Sequence, residues 1–212
     1  MNLIFLGPPG AGKGTLAGAV SKAYGVPHIS TGDIFREAVK AQSALGRKVK
    51  DIIDSGALVG DDITIALVKE RLSRKDAQGG FILDGFPRTI PQAEALEAIV
   101  PIDGAVNFDI SDKEVLRRLS GRRVCKGCGR NFHTEFMPPK AENTCDHCGS
   151  ALFIRDDDRP ESITRRLELY REQTAPLAGW YKKKGLLKEI DARPGTERIL
   201  ETFRSLFPGK QK

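Results

Sequence analysis

The chain opens on NLIFLGPPGAGKGT (residues 2–15), a short apolar run that ends in a glycine-rich loop, and no other stretch restricts the fold as strongly. Leu3 to Leu6 read as a buried strand. From Lys13 the residues Leu16, Val20, Ala23 and Tyr24 fall on one face of a helix, and Gly25 supplies its stop. Between strand and helix, Gly7 and Gly12-Lys13 keep the spacing of a phosphate-binding loop: a glycine, four residues, then Gly-Lys. Glycines let the backbone curl so that successive N–H groups point at phosphate oxygens, and the following helix adds its positive N-terminus. Lys13 then sets a compact cation against the terminal phosphates. Gly14 stands where Ser or Thr is usual, and the hydroxyl arrives one residue later at Thr15, which weakens the case for direct Mg2+ ligation by the loop. A glycine-rich turn with an incidental lysine would need neither the strand before it nor the amphipathic helix after it.

Short apolar runs recur at VPHIS (26–30), FILD (81–84), AVNFDI (105–110) and LLKEI (186–190), with helical patterns between them. That alternation predicts an α/β fold, a parallel five-stranded sheet with helices on both faces and right-handed crossovers. Two segments break the rhythm. Residues 30–59 are polar and helical with no strand of their own; residues 122–158 hold every cysteine and a Pro-Pro pair. Both read as insertions on one edge of the sheet. The chain then divides into a core (1–29, 60–121 and 159–212), a helical insertion (30–59) and a cysteine-bearing insertion (122–158).

The net charge of +6 fits an anionic partner, whether nucleotide phosphates, nucleic acid or a membrane surface, and equally fits a solvated basic surface with no partner. No apolar stretch approaches a membrane span, and the N-terminal apolar run is too short for a signal-peptide core, so a cytoplasmic protein is expected. In a reducing compartment, clustered cysteines point to a metal rather than to disulfides. Cys125-x2-Cys128 and Cys145-x2-Cys148, sixteen residues apart, have the spacing of a tetrahedral four-cysteine zinc site. Four protein ligands leave no open coordination position, so the expected Zn2+ is structural. An insertion of about 40 residues lies near the lower limit for a self-sufficient core. Zinc binding, worth roughly 10–16 kcal/mol in isolated finger peptides, is ample to hold it together as a rigid flap. Two disulfides or four free thiols are the alternatives, and paired spacing argues against His133 or His147 replacing a cysteine.

Asp84 ends the FILD run, where a carboxylate is placed to hold Mg2+ directly or through water. The loop GPPGAGKGT, STGD (30–33), LDGFPR (83–88) with Gln92, GRR (121–123) and RRLELY (165–170) occur in the order and spacing of the adenylate kinase family, and this resemblance covers essentially the whole chain. The cysteine-bearing insertion resembles the zinc-containing lid of many bacterial members, a closing element. The resemblance implies that Lys13 and the backbone of Gly10, Ala11, Gly12, Lys13, Gly14 and Thr15 bind ATP phosphates. It places Arg118 and Arg122 on ATP as well, and Asn131, Phe132 and Pro194 near its base. It implies an AMP site of Thr31, Arg36, Ala57, Leu58, Val59, Gly85, Phe86, Pro87, Arg88 and Gln92. Arg155 and Arg166 would contact the phosphoryl group in transit and the AMP phosphate, so that Lys13, Arg88, Arg122, Arg155 and Arg166 form the catalytic set.

The chemistry suits those residue types. Phosphoryl transfer has a loose transition state whose charge must be neutralised and whose reactants must lie in line. Arginine serves because its planar fork bonds phosphate bidentately and stays protonated. A hydroxyl acceptor would want a positioned base; a nucleoside monophosphate brings an oxygen already ionised. The expectation is therefore a phosphotransferase acting on Mg2+·ATP and AMP to give two ADP, as a cytoplasmic monomer that engages neither nucleic acid nor membrane. UMP or CMP as acceptor is the nearest alternative. A nucleic-acid-binding zinc-ribbon ATPase, using Lys126, Arg130 and Lys140, is a different class, as is a nucleotide-responsive regulator without turnover.

Overall fold

Leu3, Ile4, Phe5 and Leu6 are all buried in the computed structural model, which describes residues 1–209. They belong to β1 (Asn2–Leu6), the middle strand of a parallel sheet in the order β2-β3-β1-β4-β8, with β2 His28–Ser30, β3 Phe81–Asp84, β4 Gly104–Asp109 and β8 Leu187–Asp191. Successive strand residues point to opposite faces. Leu3 and Phe5 accordingly join one core with α1 (Lys13–Tyr24) and α9 (Thr196–Leu206), through Leu16, Val20 and Phe203. Ile4 and Leu6 join another with α4 (Asp61–Leu72), α5 (Ile90–Glu97) and α8 (Pro176–Lys183), through Val68, Leu96, Leu177 and Tyr181. Burial on both faces is why this strand reads as a continuous apolar run rather than an alternating one.

The expected five strands are present, with ends that move for identifiable reasons. Pro27 has no N–H to donate, so β2 begins at His28, although the Pro27 carbonyl already accepts from Ile82 N at 2.9 Å. β8 is an edge strand with Lys188, Glu189 and Asp191 exposed, and it runs one residue past the apolar LLKEI because Asp191 pairs with Asp109 of β4.

The insertions are helical and β respectively. α2 (Thr31–Lys40) and α3 (Ala44–Asp54) close a small core of Phe35, Val49 and Val59. After α6 (Asp112–Ser120), β5 (Arg122–Cys125), β6 (Asn131–His133) and β7 (Leu152–Phe153) form an antiparallel sheet in the order β6-β5-β7. The two insertions do not share an edge, contrary to expectation. The first leaves edge strand β2, and the second follows β4 on the other side of β1, so they flank the phosphate loop rather than sit side by side. Residues after one strand and before the next fix where an insertion begins, but strand order, invisible along the sequence, fixes the edge. α7 (Pro160–Leu169) then returns the chain to the core, and a π-helical turn at Tyr170–Thr174 joins it to α8. Among the described residues no helix is long and apolar enough to cross a membrane.

Tyr181 is fully buried in α8, and its hydroxyl is the one buried side-chain polar atom among the described residues without a hydrogen-bond partner. An orphaned buried hydroxyl costs about 1–3 kcal/mol. Tyr181→Phe is therefore expected to raise stability, with a Tm increase of about 2–4 °C in a thermal melt; a fall in Tm would contradict this.

Candidate active site

The phosphate loop is built where β1 runs out. Gly12 caps α1 at φ +93°, a left-handed conformation that side chains rarely adopt. The Lys13 ammonium donates to the carbonyls of Gly7 and Pro8, each at 2.8 Å, which folds the side chain back over its own loop. Burial pushes Lys13 down to about 8; Asp84 opposes that shift, while Arg88, Arg166 and Arg122 add to it. Asp84 ends β3 beside β1. Its burial disfavours the charged form, but a His28 hydrogen bond at 3.4 Å and the Lys13 charge prevail and hold its carboxyl below the usual range. Gly14 has a packing reason: a Cβ there would lie 3.2 Å from Asp84 Oδ2, so glycine lets the carboxylate approach the loop.

Facing this loop across a cleft of about 1360 Å3 is a second set of groups, drawn from α2, the 57–59 segment, the β3–α5 loop and α5. Thr31 Oγ1 donates to the Gly85 carbonyl at 2.9 Å, and Arg88 Nε donates to the same oxygen at 2.8 Å. Arg36 is paired with Asp33. Gln92, only 1% exposed, accepts from Arg88 N with Oε1 at 2.8 Å and donates from Nε2 to Asp61 at 2.7 Å. Thr174, in the π-helical turn, donates to the Arg88 carbonyl at 2.9 Å. Ala57, Leu58, Val59, Gly85 and Pro87 line the cleft. Phe86 does not: it is 1% exposed within the core, where it anchors the loop.

Three arginines from separate segments meet at the cleft's far wall. Arg122 Nε donates to Asp158 at 2.7 Å, Arg155 Nε to Asp157 at 2.7 Å, and Arg166 to Asp158 at 3.0 Å and to the Asp157 carbonyl at 2.6 Å. The Asp158 carboxylate is 0% exposed. Burial costs Asp157 its hydration, yet Arg166 and Arg155 hold its carboxyl far below the usual range. Burial brings Arg166 down to about 10, so it remains charged at neutral pH. The aspartates fix each guanidinium through part of its fork, and the remaining donors are free for a ligand.

Arg118 ties three segments together. Its Nε donates to Glu114 at 3.0 Å, and its terminal nitrogens donate to the carbonyls of Ala11 (3.4 Å) and Arg193 (3.3 Å), next to Pro194. Asn131 and Phe132 both line the cleft from the lid strand β6, and Phe132 also packs inside the lid with Cys125, Cys145 and Leu152. Sequence reasoning missed Asp157, Asp158, Asp61, Glu114 and His28. The run Arg155-Asp-Asp-Asp-Arg159 was the available signal for the first two, since three adjacent acids between arginines are easily balanced ion by ion. Asp61, Glu114 and His28 carry no local signature.

The four cysteine sulfurs lie within 4.8 Å of one another. Cys125 and Cys148 are 3.4 Å apart and Cys128 and Cys145 3.7 Å, too far for disulfides. A tetrahedron with Zn–S bonds near 2.3 Å has S···S edges of about 3.8 Å, so the cluster fits zinc. Each CxxC folds alike. Gly129 N donates to the Cys125 carbonyl and Gly149 N to that of Cys145, and both glycines have φ +72°. Cys125 N and Cys145 N donate to Arg130 and Ser150 carbonyls, both at 2.9 Å. His133 takes no part: its Nδ1 accepts the N–H groups of Glu135 and Phe136, and burial lowers its pKa. His147 is exposed.

Comparison with known proteins bears on this geometry. The family model of adenylate kinases matches residues 5–186. An adenylate kinase of Treponema denticola is 65% identical over 208 residues, spanning 98% of this chain and all of its own length. Those of Carboxydothermus hydrogenoformans (51% over 217 residues, all of both chains) and Archaeoglobus fulgidus (47% over 212 residues, 98% of each) are similar end to end.

Two outcomes follow from the electrostatics and the sulfur geometry. A Lys13 ammonium that holds phosphate charge, with its pKa pushed down to about 8 by burial, predicts that kcat/KM for a phosphate-bearing ligand declines as pH rises through that value. A pH–rate profile flat to pH 10 would rule this out. Chelation or Cys125→Ser should remove one zinc per chain and raise hydrogen exchange in 122–158 before the core; a zinc-free lid with unchanged protection would refute the structural role.

Proposed function

The chain belongs to the adenylate kinase family, and on that premise we propose that it moves the γ-phosphoryl group of Mg2+·ATP reversibly onto AMP, giving two ADP, within this cleft. The observation that carries the reading is that Lys13, Arg88, Arg122 and Arg166, from four separate stretches of chain, line one cleft. Preorganised cations of this kind stabilise charge that develops in the transition state without reorganising at the moment of reaction.

The roles divide by position. The backbone of residues 10–15 and Lys13 cradle the donor phosphates, and Arg118 with the 193–194 segment bounds the donor base. Thr31, Arg36, the 57–59 backbone, Gly85–Arg88 and Gln92 form the acceptor side. Arg88, Arg122, Arg155 and Arg166 hold the phosphoryl group between them; Asp157 and Asp158 keep three of these forks aimed. The acceptor's phosphate oxygen is already ionised, so the residues need only align it. Adenylate kinases use Mg2+ with ATP, and the ion neutralises phosphate charge when bound; Asp84 is the residue placed to hold it, directly or through water.

Residues 30–59 and 122–158 act as two flaps on the core, and zinc makes the second a rigid body that excludes water on closing. The proposed state is a monomer. The free thiols, set out for a metal, support a reducing, cytoplasmic setting.

A coupled assay with AMP, GMP, CMP and UMP should show AMP strongly preferred. Lys13→Ala should lower kcat at least about 100-fold with the fold kept, and Arg88→Lys should also fall sharply because it keeps charge but loses the fork. Near-normal turnover in a folded Lys13→Ala protein would overturn the assignment.

A further inference from the structure

The two ends of the Gln92 carboxamide are told apart by fixed neighbours. Oε1 accepts the Arg88 N–H at 2.8 Å, and Nε2 donates to Asp61 Oδ1 at 2.7 Å. Asp61 is itself held: it lies in the first turn of α4, and its Oδ2 accepts from Thr89 Oγ1 at 2.9 Å. Thr89 Oγ1 in turn caps α5 by accepting the Gln92 N–H at 3.3 Å. A carboxamide is nearly symmetric in shape but opposite in chemistry at its two ends. Turned over, it would press its NH2 group against the Arg88 N–H and its oxygen against the Asp61 carboxylate. A backbone N–H only donates and a carboxylate only accepts, so both neighbours impose the same orientation.

The remaining valences define a reading head. One Nε2 hydrogen and one Oε1 lone pair are left, side by side, on a group that is 99% buried yet lines the acceptor side of the cleft. A 6-aminopurine presents an acceptor at N1 and a donor at N6, which pair with that arrangement. A 6-oxopurine presents a donor at N1 and an acceptor at O6, which pair only with the turned-over amide. We propose that Asp61 is a specificity-determining positioning residue: by fixing the polarity of Gln92, it makes the acceptor site complementary to 6-aminopurine monophosphates and mismatched to 6-oxopurine ones. This rests on the reading of Gln92 as part of the acceptor site. In a buried site a mismatch sets donor against donor, which is far costlier than a missing methylene.

The test compares kcat/KM for AMP and for inosine 5′-monophosphate at saturating ATP. These acceptors share ribose, phosphate and ring shape and differ only at the 6-substituent and the N1 proton. General damage lowers both rates, whereas amide polarity moves their ratio. Asp61→Asn lets residue 61 offer its own NH2, so the Arg88 N–H alone is left to orient the Gln92 amide and the turned-over form becomes less costly. The AMP-to-inosine ratio should then fall about tenfold or more, with KM rising for AMP, falling for the inosine nucleotide and unchanged for ATP. Asp61→Ala should move the ratio the same way, and Asp61→Glu, which keeps a carboxylate, should restore most of it. Gln92→Leu should collapse the ratio outright. A ratio unchanged in both Asp61→Asn and Asp61→Ala, with Gln92→Leu collapsing it, overturns the proposal and leaves the acceptor site standing. A ratio that survives Gln92→Leu overturns the acceptor assignment itself, and the proposal with it.

Discussion

Gathering Lys13, Arg36, Arg88, Arg122, Arg155 and Arg166 around one cleft sets like charges against each other in space that water only partly reaches. The structure answers this repulsion with a few carboxylates at fixed points. Asp84 faces Lys13, Asp33 pairs with Arg36, and Asp157 and Asp158 serve the three arginines of the far wall. Burial alone would lower the charge on Lys13 and raise the pKa of Asp84, and the His28 hydrogen bond together with the nearby Lys13 charge keeps the carboxylate ionised. The carboxylates are partial partners. They restrain the guanidinium planes but leave donors over, so the wall is aimed before a phosphate arrives.

The sheet makes that arrangement possible. Because β1 is buried on both faces, its C-terminal end is a fixed point, and the phosphate loop inherits that rigidity. β3 lies beside it in parallel register, Phe5 opposite Asp84, which brings the carboxylate level with the loop. The absence of a side chain at Gly14 completes the approach. The two flaps, by contrast, have small cores of their own: Phe35, Val49 and Val59 in one, and Cys125, Phe132, Cys145 and Leu152 in the other. The second is too small to hold itself by apolar burial, and two matched cysteine turns supply the substitute. The four-cysteine cluster and the cationic residues answer different needs, cohesion in the lid and charge in the cleft.

A third layer is held by hydrogen bonds around a single carboxylate, that of Asp61. Thr89, Asp61, Gln92 and the Arg88 backbone form a closed chain of hydrogen bonds under the acceptor site. The Arg88 backbone joins this layer while the Arg88 side chain lines the cationic cleft, so the two layers meet in one residue. Thr174 braces the same residue from the other side, through the carbonyl.

The sequence by itself determined the features whose physics is local. A strand buried on both faces shows as an unbroken apolar run; a phosphate loop shows as glycines at set intervals before a lysine; a four-cysteine turn pair shows as two CxxC units. The cationic residues could also be picked out, because they sit inside recognisable short motifs. Only the tertiary structure decided that the insertions flank the loop from opposite sides of β1, that Phe86 turns into the core, and that Asp157 and Asp158 are buried beneath three arginines. It alone brought Asp61 to Gln92, thirty-one positions away. An ion pair or an amide's orientation depends on which segments become neighbours, and that is set by strand order and crossover handedness, for which no single stretch of residues carries a signal.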